Sequence, residues 1–415
     1  MLKLVSLGGI VVMLGLCYAF SVNRRAINWR LVGVGLLLQA LLGFTFLYWT
    51  EGNRALQWFG GKVGAFLDFS LKGSEFVFGA LTDIGGVDQA IPGDGNGFIF
   101  ACRVLPTLIF FSSFMAVLYH FGVMQLIVRG MARVMVRLMG TSGSESLSAC
   151  ANVFVGQTEA PLLIRPFLKH MTMSELHAIM VGGFATIAGG VFALYVGFGV
   201  SAGHLIVGSV MAVPAGLICT KMMFPETEAS QTMGKVQKVE AETYGNAVEA
   251  AAAGAADGLK LALNVAAMLI AFLGLVAVID ALLGNLNAGW SLQAGLGKVF
   301  WPIAAVMGVE WSEIPKLAEL LGTKIALNEL VAYKQLGPMI TNKEISPRTA
   351  MIASFALCGF ANIGSVAIQV GGLGAIAPER RGDLARIGLR AMFGGAIATC
   401  MTACVAGVLA NDGAA

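Results

Sequence analysis

SGSESLSACANVFVGQTEAPLLIRPFL, residues 142–168, is apolar enough to enter a bilayer, yet Asn152, Gly156, Gln157, Thr158, Glu159 and Pro161 interrupt it. As a straight crossing it would carry Arg165 and Lys169 to the side opposite the other basic clusters. A re-entrant hairpin avoids this: two short helices meet at a tip near Val155–Pro161, and both ends stay on one side. Non-helical backbone at membrane depth is tolerated only where protein encloses it or it lines a watery cavity. The stretch therefore predicts a membrane protein with an internal site at that tip.

The rest of the chain agrees. Its 415 residues are 57% hydrophobic and 12% charged, with a mean hydropathy of +0.78. A soluble domain carries about 25% charged residues, so lipid must be the solvent for most of this surface. About 20 apolar residues cross the hydrocarbon core as a helix. Eight such runs are present: Leu4–Val22, Leu31–Thr50, Phe98–Val128, Leu176–Val200, Ala202–Phe224, Leu261–Leu283, Thr349–Ile376 and Ile387–Leu409. The first is too long and too weakly preceded by charge for a signal peptide. The expected fold is an all-α polytopic membrane protein with eight transmembrane helices. The seven cysteines form no C-x-x-C pair, and the net charge of +3 suggests no nucleic-acid partner.

Arg24, Arg25 and Arg30 occupy the loop between the first two runs, which the positive-inside rule makes cytoplasmic. The N-terminus is then outside. Eight crossings leave the clusters Arg129/Arg133/Arg137, Arg165/Lys169 and Arg380/Arg381/Arg386 cytoplasmic, with the C-terminus outside as well. In a bacterium the host bilayer is the inner membrane. The six tryptophans lie near predicted span ends, as interfacial anchors do.

Residues 1–95 read as N-terminal spans, followed from Glu51 by helices lying at the outer interface. Residues 96–224 form a first repeat and 225–257 a polar, Ala-rich cytoplasmic linker. Residues 258–411 form a second repeat, with its own hairpin at 313–338. The repeats share an order: a lone acid in a short apolar segment (Glu159, Glu329), then a span carrying Gly183-Phe184-Ala185-Thr186-Ile187 or Gly359-Phe360-Ala361-Asn362-Ile363. The two copies run in opposite directions. That is an inverted-topology repeat, common in secondary transporters. Glycine clusters with hydroxyl or amide neighbours mid-span predict unwound helices at the midplane, whose freed backbone groups bind a solute or ion. The alternative, helix packing by small residues, is the usual role of a single glycine.

Intramembrane acids default to functional roles because burying their charge is costly. The bland alternative is a salt bridge to Arg103, Lys324 or Lys334. Two carboxylates, two amides and three hydroxyls make an acceptor-rich, neutral-polar cavity. No arginine pair faces it, which disfavours a phosphorylated solute. A nucleoside, sugar or base fits, and a small cation suits side-chain oxygens with freed carbonyls.

At GQTEAPLLIRPFL (156–168), IAGGV (187–191), NELVAY (328–333), SFALCGFANIGS (354–365) and GGLGAIAPERRGDLAR (371–386), the chain resembles the concentrative nucleoside transporters in their compact bacterial form. RVLPTLIFF (103–111) and LALNVAAMLIAF (261–272) fit too, so the resemblance covers almost the whole chain. It implies a sodium-coupled nucleoside symporter (uridine is one such substrate), a homotrimer in the lipid bilayer, and an elevator-like alternating-access mechanism. It also implies that Gln157, Thr158, Glu159 and Val191 hold the base. Glu329, Asn362 and Ser365 would hydrogen-bond the ribose, with Phe360 alongside. Asn152, Thr186 and the carbonyls of Val155 and Ile187 would hold sodium. Sodium-coupled members commonly carry Ser where Thr186 stands, and Phe where Leu330 follows Glu329; the hydroxyl and the acid both survive. A proton-coupled symporter with Glu159 or Glu329 titrating is the rival reading. An enzyme is not expected, because no nucleophile motif, metal cluster or phosphate loop accompanies the acids.

Overall fold

The computed structural model describes residues 1–82, 99–103, 105–236, 244–286 and 290–410, and among these every extended regular element is a helix. The N-terminal part contains α1 (Leu2–Ala19), α2 (Trp29–Gly43), α3 (Thr50–Leu67) and α4 (Phe69–Phe78). A π turn at Phe44–Tyr48 continues α2. Next come α5 (Leu105–His120), the amphipathic α6 (Val123–Met139) and α7 (Gly143–Ala151). The first half closes with α8 (Met173–Ala185), α9 (Gly189–Gly197) and α10 (Ala202–Met223). The second half holds α11 (Ala247–Leu286), α12 (Leu292–Ala305), α13 (Ile314–Ala326) and α14 (Glu329–Thr341). It ends with α15 (Pro347–Leu357), α16 (Ile363–Ile376) and α17 (Arg381–Leu409).

Five of the described helices are long and apolar enough to cross a membrane: Leu2–Ala19, Trp29–Tyr48, Ala101–His120, Ala202–Met223 and Pro378–Leu409. They divide by burial. In α10 and α17 most side chains are packed inside the molecule, whereas α1, α2 and α5 turn apolar side chains outward. Leu4, Leu37, Leu263 and Ile270 are all more than half exposed. Exposed aliphatics on this scale mark a lipid-facing or partner-facing surface, and the six tryptophans are all exposed too.

Several boundaries differ from the sequence reading. The span expected over Phe98–Val128 stops at His120, where Gly122 takes a left-handed turn (φ 77°). Arg129, Arg133 and Arg137 then sit on α6, whose basic and apolar faces suit an interface better than a crossing. The linker expected to reach Asp257 is already helical from Ala247, because its Ala-rich end is a strong helix former. Residues 83–96 of the expected interfacial region, Lys238, Glu240 and Glu242 of the linker, and the end of the second repeat at 411 lie outside the described residues.

The linker's first part is not a free tether. Thr232 accepts from Gly143 N through its carbonyl (2.9 Å) and meets Ser144 Oγ at 2.7 Å, binding the linker to the start of α7. There α7 and α8 each begin with a reciprocal cap, Ser142 with Glu145 and Thr172 with Glu175. Lys221, near the end of α10, lies 2.8 Å from Glu145 and 3.4 Å from Glu226.

Candidate functional site

Two helix–turn–helix units and two broken helices converge on one cavity of about 850 Å³. The first unit is α7 with its return over residues 160–168, joined by an irregular turn at 152–159. The second is α13 with α14, separated only by Leu327 and Asn328. The expected spans 176–200 and 349–376 are each broken. α8 gives way to α9 across Thr186–Ala188, and α15 gives way to α16 across Cys358–Asn362.

Glycine permits the second break. Gly359 has φ 142°, and a Cβ there would lie 2.5 Å from the Phe184 carbonyl oxygen. The break thus needs both an unusual φ and close contact with α8. Asn362 ends it by capping α16, its Oδ1 accepting from Ser365 N at 2.8 Å. Asn328 caps α14 in the same way through Val331 N (2.9 Å). Such caps contribute about 1 kcal/mol each. Both helix N-termini open on the cavity, where their dipoles favour negative charge.

Gln157, Thr158, Glu159, Val191, Glu329, Phe360, Asn362 and Ser365, the eight residues singled out for solute binding, all line this one cavity. Glu329 is the most tightly held of them. It is 5% exposed, and Tyr195 Oη donates to its Oε1 (3.0 Å) while Asn362 Nδ2 donates to its Oε2 (3.1 Å). Each carboxylate oxygen keeps a second lone pair for a hydroxyl in the cavity. Glu159 instead is open to the cavity, its carboxylate folded over Gly156.

None of the three suspected bases forms a direct salt bridge with these acids among the described residues. Lys324 is buried but donates to the Ala356 carbonyl and Thr399 Oγ1, both at 2.9 Å. Arg103 donates to the Thr82 carbonyl, and Lys334 is exposed.

The residues singled out for a cation lie at the first tip and break. Asn152 Nδ2 donates to the Ser148 carbonyl (2.9 Å), leaving Oδ1 buried with no hydrogen-bond partner among the described residues. Thr186 Oγ1 donates to the Gly182 carbonyl (2.8 Å), so its lone pairs remain available. Gly182 brings the two regions together: a Cβ there would lie 3.6 Å from Asn152 Nδ2. Each side chain donates a hydrogen to a helix carbonyl and keeps oxygen for something else. That donor set fits a hard cation. Val155 lies in the tip turn and Ile187 within the break.

Two residues that the sequence reading missed hold the site. Tyr195 grips Glu329, and Gln369 Nε2 donates to Gln157 Oε1 at 2.9 Å. Their only sequence signal is a polar group in an otherwise apolar stretch after each break.

Family profiles for the N-terminus and C-terminus of Na+ dependent nucleoside transporters match residues 8–81 and 204–407, and a Gate profile described as nucleoside recognition matches 101–202. The chain belongs to the Na+ dependent nucleoside transporter family. It is therefore a transporter of the membrane, not an enzyme, in a family whose coupling ion is sodium. An uncharacterized transporter of Haemophilus influenzae is 43% identical over 99% of this chain and 98% of its own length. Sodium/nucleoside cotransporter 1 of Mus musculus is 44% identical over 98% of this chain, which spans 64% of that longer protein. Among solved structures, CNTnw in an inward-facing substrate-bound state shares 42% identity and a TM-score of 0.93, covering 99% of this chain and 98% of that one. A CNTnw variant in an outward-facing state, with the same shares covered, has 41% identity and a TM-score of 0.94.

Proposed function

We propose that this transporter is a secondary active symporter that imports nucleosides such as uridine down a sodium gradient. The convergence of eight polar and apolar side chains, from two hairpin tips and two helix breaks, on one cavity carries the reading. Glu159 and the outward amide of Gln157 face the base, with Thr158 and Val191 beside it. Glu329, Asn362 and Ser365 receive the ribose hydroxyls, and Phe360 packs along the sugar. Sodium binds Asn152 Oδ1, Thr186 Oγ1 and the carbonyls of Val155 and Ile187.

The ion pins the first tip to the first break, and so presents Gln157 and Glu159 to the solute. A ligand shifts an equilibrium only by its differential affinity for the two states. Sodium and nucleoside therefore tighten one another reciprocally. The two helix–turn–helix units are re-entrant hairpins of an inverted repeat within eight crossings, and both termini lie outside. In this arrangement Arg165, Pro166 and Tyr244 line the cavity beside the linker, so this conformer faces the cytoplasm. The buried units move as one elevator-like body against the exposed helices, which also supply the contacts of a homotrimer.

Radiolabelled uridine uptake into proteoliposomes tests this under a sodium gradient, a proton gradient or neither. Accumulation with sodium alone is expected. Accumulation with protons alone transfers coupling to Glu159 or Glu329 and overturns the sodium site, while uptake that never exceeds equilibrium overturns symport.

A further inference from the structure

The geometry points to Tyr195 and Gln369 as a reciprocal pair of positioning residues, each projecting from the broken helix of one repeat to orient the hairpin-tip group of the other. Tyr195 is the seventh residue of α9, and Gln369 is the seventh residue of α16. Both are buried. Tyr195 belongs to the first half and reaches Glu329 at the second tip, and Gln369 belongs to the second half and reaches Gln157 at the first tip. Counting from the restart of each helix thus gives the same position, the same reach to the other half's hairpin tip and the same task. The inference rests on the assignment of Glu329 to ribose and Gln157 to the base.

Each brace fixes a donor–acceptor pattern, not merely a position. Gln369 Nε2 also donates to the Met180 carbonyl at 3.1 Å. A backbone carbonyl only accepts, so the atom between it and Gln157 is the amide nitrogen of Gln369, and the Gln157 atom facing it must be oxygen. Gln157 is thereby held with its NH₂ toward the cavity, a donor suited to a carbonyl-edged base. Gly183 makes room for the pair, since a Cβ there would lie 2.6 Å from Gln369 Nε2 and 2.9 Å from Gln157 Cβ. On the other side, Tyr195 stacks on Tyr333 at a centroid distance of 4.3 Å, and Tyr333 Oη is anchored on the Ser354 carbonyl at 2.7 Å. The phenol therefore donates to Glu329 from a fixed ring and leaves that carboxylate's remaining lone pairs aimed at hydroxyls.

Two selectivity ratios test this, since a purely structural role would lower all affinities together. The first compares binding of uridine with 3′-deoxyuridine to the purified transporter in sodium. Tyr195→Phe keeps the stack and loses the donor, so the preference for uridine should shrink by about fivefold, less than the loss of a whole hydrogen bond to a charged group. The second compares uridine with cytidine. Gln369→Met frees the Gln157 amide to turn, and the ratio should move toward cytidine by about fivefold, the scale of one neutral hydrogen bond. Gln369→Glu, which has no donor, should not restore it. Unchanged ratios, or equal losses for both members of a pair, overturn the bracing. Glu329→Gln separates the failures: if it removes the 3′-hydroxyl preference while Tyr195→Phe does not, the brace is wrong and the ribose site stands. If wild type shows no hydroxyl preference, or Glu329→Gln leaves that preference unchanged, the ribose assignment itself falls, and this inference with it.

Discussion

The two hairpin tips are built on one plan and finished differently. The second turns within two residues, Leu327 and Asn328, and its acid is held by Tyr195 and Asn362. The first takes an irregular path from Asn152 to Glu159, leaves Asn152 Oδ1 without a partner among the described residues, and exposes its acid to the cavity. The second tip is therefore preorganised: its hydrogen bonds exist before any solute arrives, and little reorganisation is needed on binding. The first awaits a ligand to complete it. In the proposed reading, such a division of labour places ribose recognition on the rigid tip, and base contacts together with coupling on the adjustable one.

The largest expected effect comes from neutralising the rigid tip. Glu329→Gln replaces an acceptor for Tyr195 and Asn362 with an amide that cannot serve both, and it removes the charge from any hydroxyl contact. Hydrogen bonds to charged groups contribute about 1.5–3 kcal/mol, so uridine uptake at limiting substrate should fall by about tenfold to a hundredfold. Glu159→Gln, whose carboxylate is met by Thr158 and the backbone of its own turn and not by groups from other helices, should cost less. Uptake kinetics on the two variants, normalised to reconstituted protein, decide the ranking. A larger loss at Glu159 would reverse the comparison.

The next effect concerns what holds each unit at its base. The second unit is tied by Ser346, which donates to Glu313 through its backbone N (2.7 Å) and Oγ (2.8 Å). The first is tied by charge: Glu145 is fully buried and Lys221 nearly so, 2.8 Å apart. Removing one partner of a buried ion pair costs about 3–5 kcal/mol, because the other charge is stranded. Lys221→Met should therefore lower the Tm of the purified protein markedly, and adding Glu145→Gln should recover part of the loss. Ser346→Ala, at a partly exposed cap, should cost about 1 kcal/mol. Equal Tm shifts for Lys221→Met and Ser346→Ala would show that the first base is no more charge-dependent than the second.

Much of this asymmetry was invisible in the sequence for physical reasons. Hydropathy and the positive-inside pattern locate spans because they depend on composition alone, and Asn152, Glu159 and Glu329 stand out as polar groups where none should be. The Gly-Phe-Ala-x-Ile copies mark both breaks. They do not mark their register: Thr186 opens the first break, whereas Asn362 closes the second. Aligning the copies would pair Gln369 with Ala193, and only the helix restarts pair it with Tyr195. Lys324 looked like a counter-ion by composition, yet it satisfies a carbonyl and a hydroxyl. Such partner choices depend on separations of 32 to 212 residues, which no local pattern encodes.

The smallest and most selective effect belongs to the adjustable tip. In the proposed reading, Thr186→Ala removes one cation ligand of several and leaves the solute contacts in place. Its hydroxyl is oriented by Gly182, so its loss deletes an oxygen without collapsing a network. Coupling free energies of about 1–3 kcal/mol are typical between linked sites, and a single ligand should account for the lower part of that range. The half-saturating sodium concentration for uridine uptake should rise by about fivefold, while the ranking of nucleosides at saturating sodium stays as in the wild type. Thr186→Ser, which keeps the hydroxyl, should restore the wild-type value. A sodium dependence unmoved by Thr186→Ala would place the ion elsewhere. An altered nucleoside ranking at saturating sodium would mean that Thr186 also shapes the base contacts of the first tip, and the separation of coupling from recognition within that tip would then fail.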